Sequence, residues 1–202
     1  MSQRRVPRAL TEEATLQLRS TYQDYVASAQ NRSEPSGRIL STTTFLGQFD
    51  AVITARQGCF LRLISIVEAY VDMLSASLFN DQTPPNDPFI ARLVREAEMR
   101  AATTWVERQR ALEGLHGVPL GSLPNWSQLK AGIEVRNTIA HGLGRLTTKQ
   151  RRDGKDLKGK LAQIQVELRE GRLVITEGSL LRCLDVCLDF LASLDAAVPV
   201  RQ

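Results

Sequence analysis

The stretch GQFDAVITARQGCFLRLISIVEAYVDMLSASLF, residues 47–79, decides the fold class. Within it Phe49, Val52, Ile53, Phe60, Leu63, Ile64, Val67, Val71, Leu74 and Leu78 recur at the three- and four-residue spacing of one helix face, with no proline to interrupt them. A pattern this long must bury its apolar face against other helices. It predicts the central helix of an all-α domain.

On its N-terminal side, Thr11 followed by Glu12 and Glu13 reads as an N-cap with acids in the first turn, opening a helix to about Ala29. Residues 31–41, with Ser33, Pro35, Ser36 and Gly37, read as a polar linker. On the C-terminal side Pro84 and Pro85 end the long helix, and Asp87-Pro88 starts another that runs to about Leu112. Gly114, Gly117, Pro119, Gly121 and Pro124 predict a loop that contains His116. Asn125 with Gln128 three residues on resembles a capping box, so a helix starts near Trp126, with Leu129, Ile133 and Ala140 on its apolar face. Gly142 and Gly144 suit a left-handed C-terminal cap, which leaves His141 at the helix end. Residues 164–168 and 173–175 read as strands around the turn Arg169-Glu170-Gly171-Arg172, the one β signal, and residues 179–197 as a closing helix.

With 202 residues, 43% hydrophobic and 24% charged, the chain has the composition of an ordinary globular protein. The expected organisation is a single helical domain over 1–202: N-terminal helix and linker 1–46, core helices 47–144, basic loop and hairpin 145–177, and closing helix 178–202. No apolar run reaches the roughly 20 residues a membrane span needs, and Met1-Ser2-Gln3-Arg4-Arg5 leads into no apolar signal core. A cytoplasmic protein without a membrane partner is expected. Cys59, Cys183 and Cys187 are odd in number and lie in apolar helical patterns, which suits packed, reduced thiols; the i, i+4 pair Cys183 and Cys187 could also chelate. Two histidines make no zinc set, and no phosphate-cradling glycine loop is present, so no cofactor or metal is expected.

The net charge of +4 permits a nucleic-acid partner without requiring one. Between residues 145 and 160, however, seven basic side chains stand against Asp153 and Asp156. Arg145, Lys149, Arg151, Arg152 and Lys155 of this stretch are the candidate RNA contacts, since cations beside a site hold phosphates on either side of it. A solvated loop is the plainer reading of such a run.

The chemistry-bearing segment is Arg136-Asn137-Thr138-Ile139-Ala140-His141. With Gly142 after it and the earlier Ile66-Val67-Glu68-Ala69-Tyr70 helix, it resembles the HEPN superfamily, in particular the RiboL-PSP branch, over residues 47–197. The resemblance implies an antiparallel helical bundle with a short β-hairpin insertion before the last helix. It also implies a metal-independent endoribonuclease that acts as a dimer with a composite site, often as a toxin or antiphage-defence effector with an antitoxin or regulatory partner. Arg136, Asn137, His141 and Glu68 are then the catalytic candidates. Some relatives carry a modifiable tyrosine two residues after the histidine, where this chain has Leu143.

The residue types suit RNA cleavage. A ribose 2′-hydroxyl attacking the adjacent phosphate needs a base, an acid and positive charge on the non-bridging oxygens, which His and Arg supply near neutral pH. At about 100° per residue, Asn137 and His141 lie about 40° apart on the helix, while Arg136 and His141 differ by about 140° with about 7.5 Å of rise. One helix cannot wrap both round one phosphate; two helices about a two-fold axis can. Three plainer readings stand beside this one: Arg136 in a salt bridge with Asn137 as a cap and His141 favoured by the helix dipole, a binding module that does not cut RNA, and a structural helical dimer. Glu68 is either a buried partner orienting Arg136 or a residue on a solvated edge.

Overall fold

The long apolar pattern forms α2 (Ala51–Asn80), and the chain is mostly helical with two short antiparallel hairpins. The structure is a computed structural model that describes residues 5–32, 41–44, 47–80, 87–152 and 154–199, the side chains of 5–7, 31–32, 41–49, 149 and 154–156 aside. Most of the expected linker, residues 33–40, lies outside the described residues.

The long helix starts later than its apolar pattern does. Asp50 Oδ1 accepts from Val52 N (2.8 Å) and Ile53 N (3.0 Å), which makes Asp50 the cap. The residues before it form β2 (Gly47–Asp50), paired antiparallel with β1 (Ser41–Thr44), so the expectation of one β signal is corrected. Val52 and Ile53, placed on the apolar face by spacing, are exposed in the first turn of α2.

The chain divides into two compact units. The first comprises Met1–Thr15, Val67–Trp126 and Asp189–Gln202; the second comprises Leu16–Ile66 and Ser127–Leu188.

In the first unit, α1 (Arg5–Arg32) begins before Thr11, which is therefore no cap. The Thr11 hydroxyl lies 3.0 Å from Tyr70 Oη and donates to Asp195 Oδ1 (3.1 Å). Asp87 caps α3 (Pro88–Ala101) as expected, accepting from Phe89 N at 2.7 Å. The helix expected to continue to Leu112 instead breaks after Ala101, and α4 (Trp105–His116) starts from Thr104, whose hydroxyl accepts from Glu107 N (3.2 Å). Thr104 and Glu107 have the spacing of a capping box, a signal stronger than the apolar continuity that hid it. His116 is thus the last residue of a helix rather than a loop residue, buried edge-on against Phe79 with ring centroids 4.5 Å apart.

Arg108 locks α4 to α2. Its Nε and Nη2 donate to the two carboxylate oxygens of Asp72 at 2.7 and 3.0 Å, and its guanidinium lies 5.2 Å from the Trp105 ring. Trp105, Trp126 and Phe190 continue as an aromatic stack, with centroid spacings of 5.6 and 6.0 Å. Trp126 and Tyr70 are both buried in the core.

The second unit holds α5 (Trp126–Gly142), α6 (Thr148–Arg152), α7 (Gly154–Ala162), β3 (Glu167–Arg169), β4 (Arg172–Val174) and the first half of α8 (Glu177–Ala197). The Asn125 capping box is not made: Asn125 takes a left-handed φ of 63°, and Trp126 N bonds to Leu123 O (3.2 Å) to close a turn. At Gly132, buried on α5, an added Cβ would lie 2.8 Å from Ile64 Cδ1, so the backbone of α5 runs close against α2 there. Ala140, expected on the apolar face, is exposed, and the buried positions are Leu129, Ala131, Ile133, Val135 and Ile139.

The basic stretch expected as a loop is two helices. Leu157 and Leu161, four apart, are both buried, which gives α7 an apolar stripe despite its lysines. The hairpin comes next, as expected: Glu170 (φ 49°) and Gly171 (φ 72°) form a two-residue turn of the primed kind between β3 and β4. The strands are shorter than expected, because Gln163, Ile164 and Gln165 turn at the end of α7. α8 starts two residues early through a reciprocal cap, Ser179 N to Thr176 Oγ1 (3.1 Å) and Thr176 N to Ser179 Oγ (3.0 Å).

Candidate functional site

The last two turns of α5 carry Arg136, Asn137 and His141. Arg136 and Asn137 are half-buried, and Arg136 Nη1 donates to Asn137 Oδ1 at 3.2 Å. The carboxamide is thus one of the groups that orient the guanidinium. One turn on, His141 is exposed, with its imidazole in the solvent at the helix end.

The backbone around and after His141 is rigidly held. Thr138 is buried; its hydroxyl donates to Glu134 O (2.8 Å) and accepts from Gln150 Nε2 (2.6 Å), which ties α6 to α5. Leu143 N bonds to Ile139 O (2.9 Å) and Gly144 N to Thr138 O (3.2 Å), closing the helix. The left-handed positions are Leu143 (φ 50°) and Gly144 (φ 82°), whereas Gly142, expected to be one of them, is helical. Glycine suits position 144 through its left-handed φ, and a Cβ there would also push aside the carboxamide end of Gln57.

Glu68 lies in the first unit, half-buried on α2, and accepts from Trp105 Nε1 at 3.1 Å. With Asp72 one turn on, it gives α2 two carboxylates that meet Trp105 and Arg108 of α4. The Trp-x-x-Arg pattern of residues 105–108, matching the spacing of Glu68 and Asp72, was the available signal for these two bonds.

Of the basic candidates, Arg145, Arg151 and Arg152 are exposed, as are Lys158 and Lys160; the side chains of Lys149 and Lys155 lie outside the described residues. Beside the end of α7 and β3 is an open cleft of about 590 Å³, lined by Lys158, Leu161, Gln165, Val166, Glu167 and Thr176. The cysteines are free and buried: burial raises the Cys59 thiol to about 11, and burial with the neighbouring Cys187 holds Cys183 well above its ordinary value. Neither is a reactive thiol. No helix among the described residues is long and apolar enough to cross a membrane.

No family model, curated protein or solved structure matches this chain.

Proposed function

We propose that this chain is a metal-independent endoribonuclease of the HEPN type, a helical bundle acting on RNA as a homodimer with a composite active site. The observation that carries the reading is the order of side chains at the end of α5: a guanidinium held by Asn137 and, one turn later, an exposed imidazole. The mostly helical chain, with a hairpin before its last helix, fits the bundle that the resemblance implies.

In this mechanism one His141 takes the proton of the 2′-hydroxyl as it attacks the adjacent phosphorus. The His141 of a second copy gives a proton to the departing 5′ oxygen, and the Arg136 pair neutralises the non-bridging oxygens. The products are a 2′,3′-cyclic phosphate and a 5′-hydroxyl. The biological setting that accords with the resemblance is a cytoplasmic toxin or antiphage-defence effector restrained by an antitoxin or regulatory protein. Leu143 offers no hydroxyl to modify, so restraint acts by another route than nucleotide transfer to that position.

A second reading, a helical module that binds without cutting, is favoured by the exposed Phe89, Ile90 and Leu93 on α3, which suit a protein surface. One experiment separates the two. Purified protein incubated with total RNA in EDTA should yield fragments with cyclic-phosphate and 5′-hydroxyl ends, and His141→Ala protein none. Intact RNA after incubation with wild type, or equal cleavage by the variant, would overturn the ribonuclease reading.

A further inference from the structure

Three arginines are brought into register beside the end of α5. Arg172 pairs with Arg169 across the β3–β4 hairpin, and on its other side Arg145 bridges to Arg172. The bonds Leu146 N to Gly171 O (2.9 Å) and Leu173 N to Gly144 O (2.8 Å) flank that bridge. It is therefore the narrow, non-hydrogen-bonded kind of antiparallel pair, with Cα atoms about 4.5 Å apart and side chains close together. Directly opposed residues share one face of a sheet. Leu146 and Leu173 occupy the other face, both buried, so the arginines form a row directed away from the core, with Arg145 and Arg169 exposed and Arg172 half-buried.

Like charges in direct opposition destabilise a sheet. Here the backbone enforces the opposition twice, through the Glu170-Gly171 turn and through Gly144, whose φ of 82° and close approach to Gln57 fix the incoming strand. Among the described residues the carboxylate that answers the row is Glu167, bonded to Arg169 at 2.7 and 3.0 Å. A repulsion that the fold itself imposes belongs where an outside anion supplies the missing charge.

We infer that the row Arg145, Arg172, Arg169 is a track for the phosphate backbone of single-stranded RNA, holding the strand as it leaves the His141 end of α5. Strands roughly 4.8 Å apart set the cations as a closely spaced series; the Arg145 and Arg172 forks can each take a phosphate bidentately, and Arg169 adds a third contact by exchanging exposed Glu167 for phosphate. A flexible single strand can follow three points in line and still let its 2′-hydroxyl reach the attacking geometry. That the polyanion is RNA rests on the ribonuclease reading above; that the row binds a polyanion does not.

The test uses full-length His141→Ala protein, which spares the probe, and a short fluorescein-labelled oligouridylate followed by anisotropy over a salt series. Changing Arg145, Arg169 and Arg172 together to Gln should lower the slope of log Kd against log salt by about 2, from three contacts at about 0.7 each. The same change at Arg92, Arg95 and Arg100 on α3 alters net charge equally and should leave the slope as it was. Arg172→Gln alone should lower it by about 0.7 and, by relieving repulsion on both sides, raise Tm by about 1–3 °C; this keeps the test valid if the triple variant folds poorly. An unchanged slope in the row variants, an equal fall in the α3 variant, or no binding of the probe at all would overturn the track. If cleavage in EDTA proves independent of His141 while the row still sets the slope, the ribonuclease reading fails and the track stands; the reverse pair of results removes the track alone.

Discussion

His141 is exposed, so its substitution separates chemistry from folding. His141→Ala should leave Tm within about 1 °C of wild type, because exposed sites carry little stability, and lower cleavage by about 10²–10⁴-fold, the usual contribution of a proton-transferring side chain. Asn137→Ala should give a smaller loss, since it removes one bond that orients the guanidinium without removing the charge. Comparing rates and melting curves of both variants checks this. A second residue-scale expectation is alkaline lability. Burial raises the Cys59 thiol to about 11 and the Tyr70 phenol to about 12, above their ordinary values of 9.0 and 10.0. The folded state therefore holds these protons longer than the unfolded one, so the stability they contribute is complete below about pH 9 and is lost as pH rises towards 12, on the order of 2–3 kcal/mol for each group. Urea titrations at pH 8 and pH 10.5 should show the midpoint falling; a midpoint that holds would mean these groups are solvated in the folded protein.

Among the elements, the α2–α4 clamp is the most vulnerable joint. Arg108 is 10% exposed in its side chain and bonds Asp72 through two atoms, so Asp72→Asn leaves a nearly buried cation short of its charge partner. Because the Asp72 side chain is 44% exposed and solvent screens the pair, a loss of about 1–2 kcal/mol is expected, read as a lower urea midpoint, with an Arg108→Met, Asp72→Leu pair recovering part of it. Glu68→Gln keeps an acceptor for the Trp105 indole while removing the carboxylate charge, so a loss of cleavage with unchanged stability is expected if Glu68 acts in the catalytic set, and unchanged cleavage would remove it. At the end of α5, Gly144→Ala should cost about 1–2 kcal/mol through left-handed strain, since the Gln57 carboxamide can swing aside. The elements legible in the sequence were those set by local rules: the helical class, the Asp87-Pro88 start and the Glu170-Gly171 turn. Thr11 misled because its partners, Tyr70 and Asp195, stand 59 and 184 residues away, and no local rule reports them. The basic stretch misled because its lysines outnumber the two leucines that anchor α7. At the site, the helix end beside His141 was legible from glycine placement, whereas the exposure of its imidazole and the arginine row were not, the row depending on a bridge between residue 145 and a hairpin more than 20 residues further on.

At the scale of the whole molecule the mechanism demands two copies. Arg136 and His141 lie about 140° apart on one helix, so acid, base and charge can surround a single phosphate when two helices face each other across a two-fold axis. The most direct test measures RNA cleavage in EDTA as wild-type protein is mixed with rising proportions of His141→Ala protein at constant total, after subunit exchange is verified. With one imidazole acting as base and the other as acid, a mixed dimer is inactive and activity tracks the square of the wild-type fraction, leaving about a quarter at equal proportions. Activity that falls in simple proportion, to about a half at the same point, would mean that each protomer acts alone and would contradict the composite site.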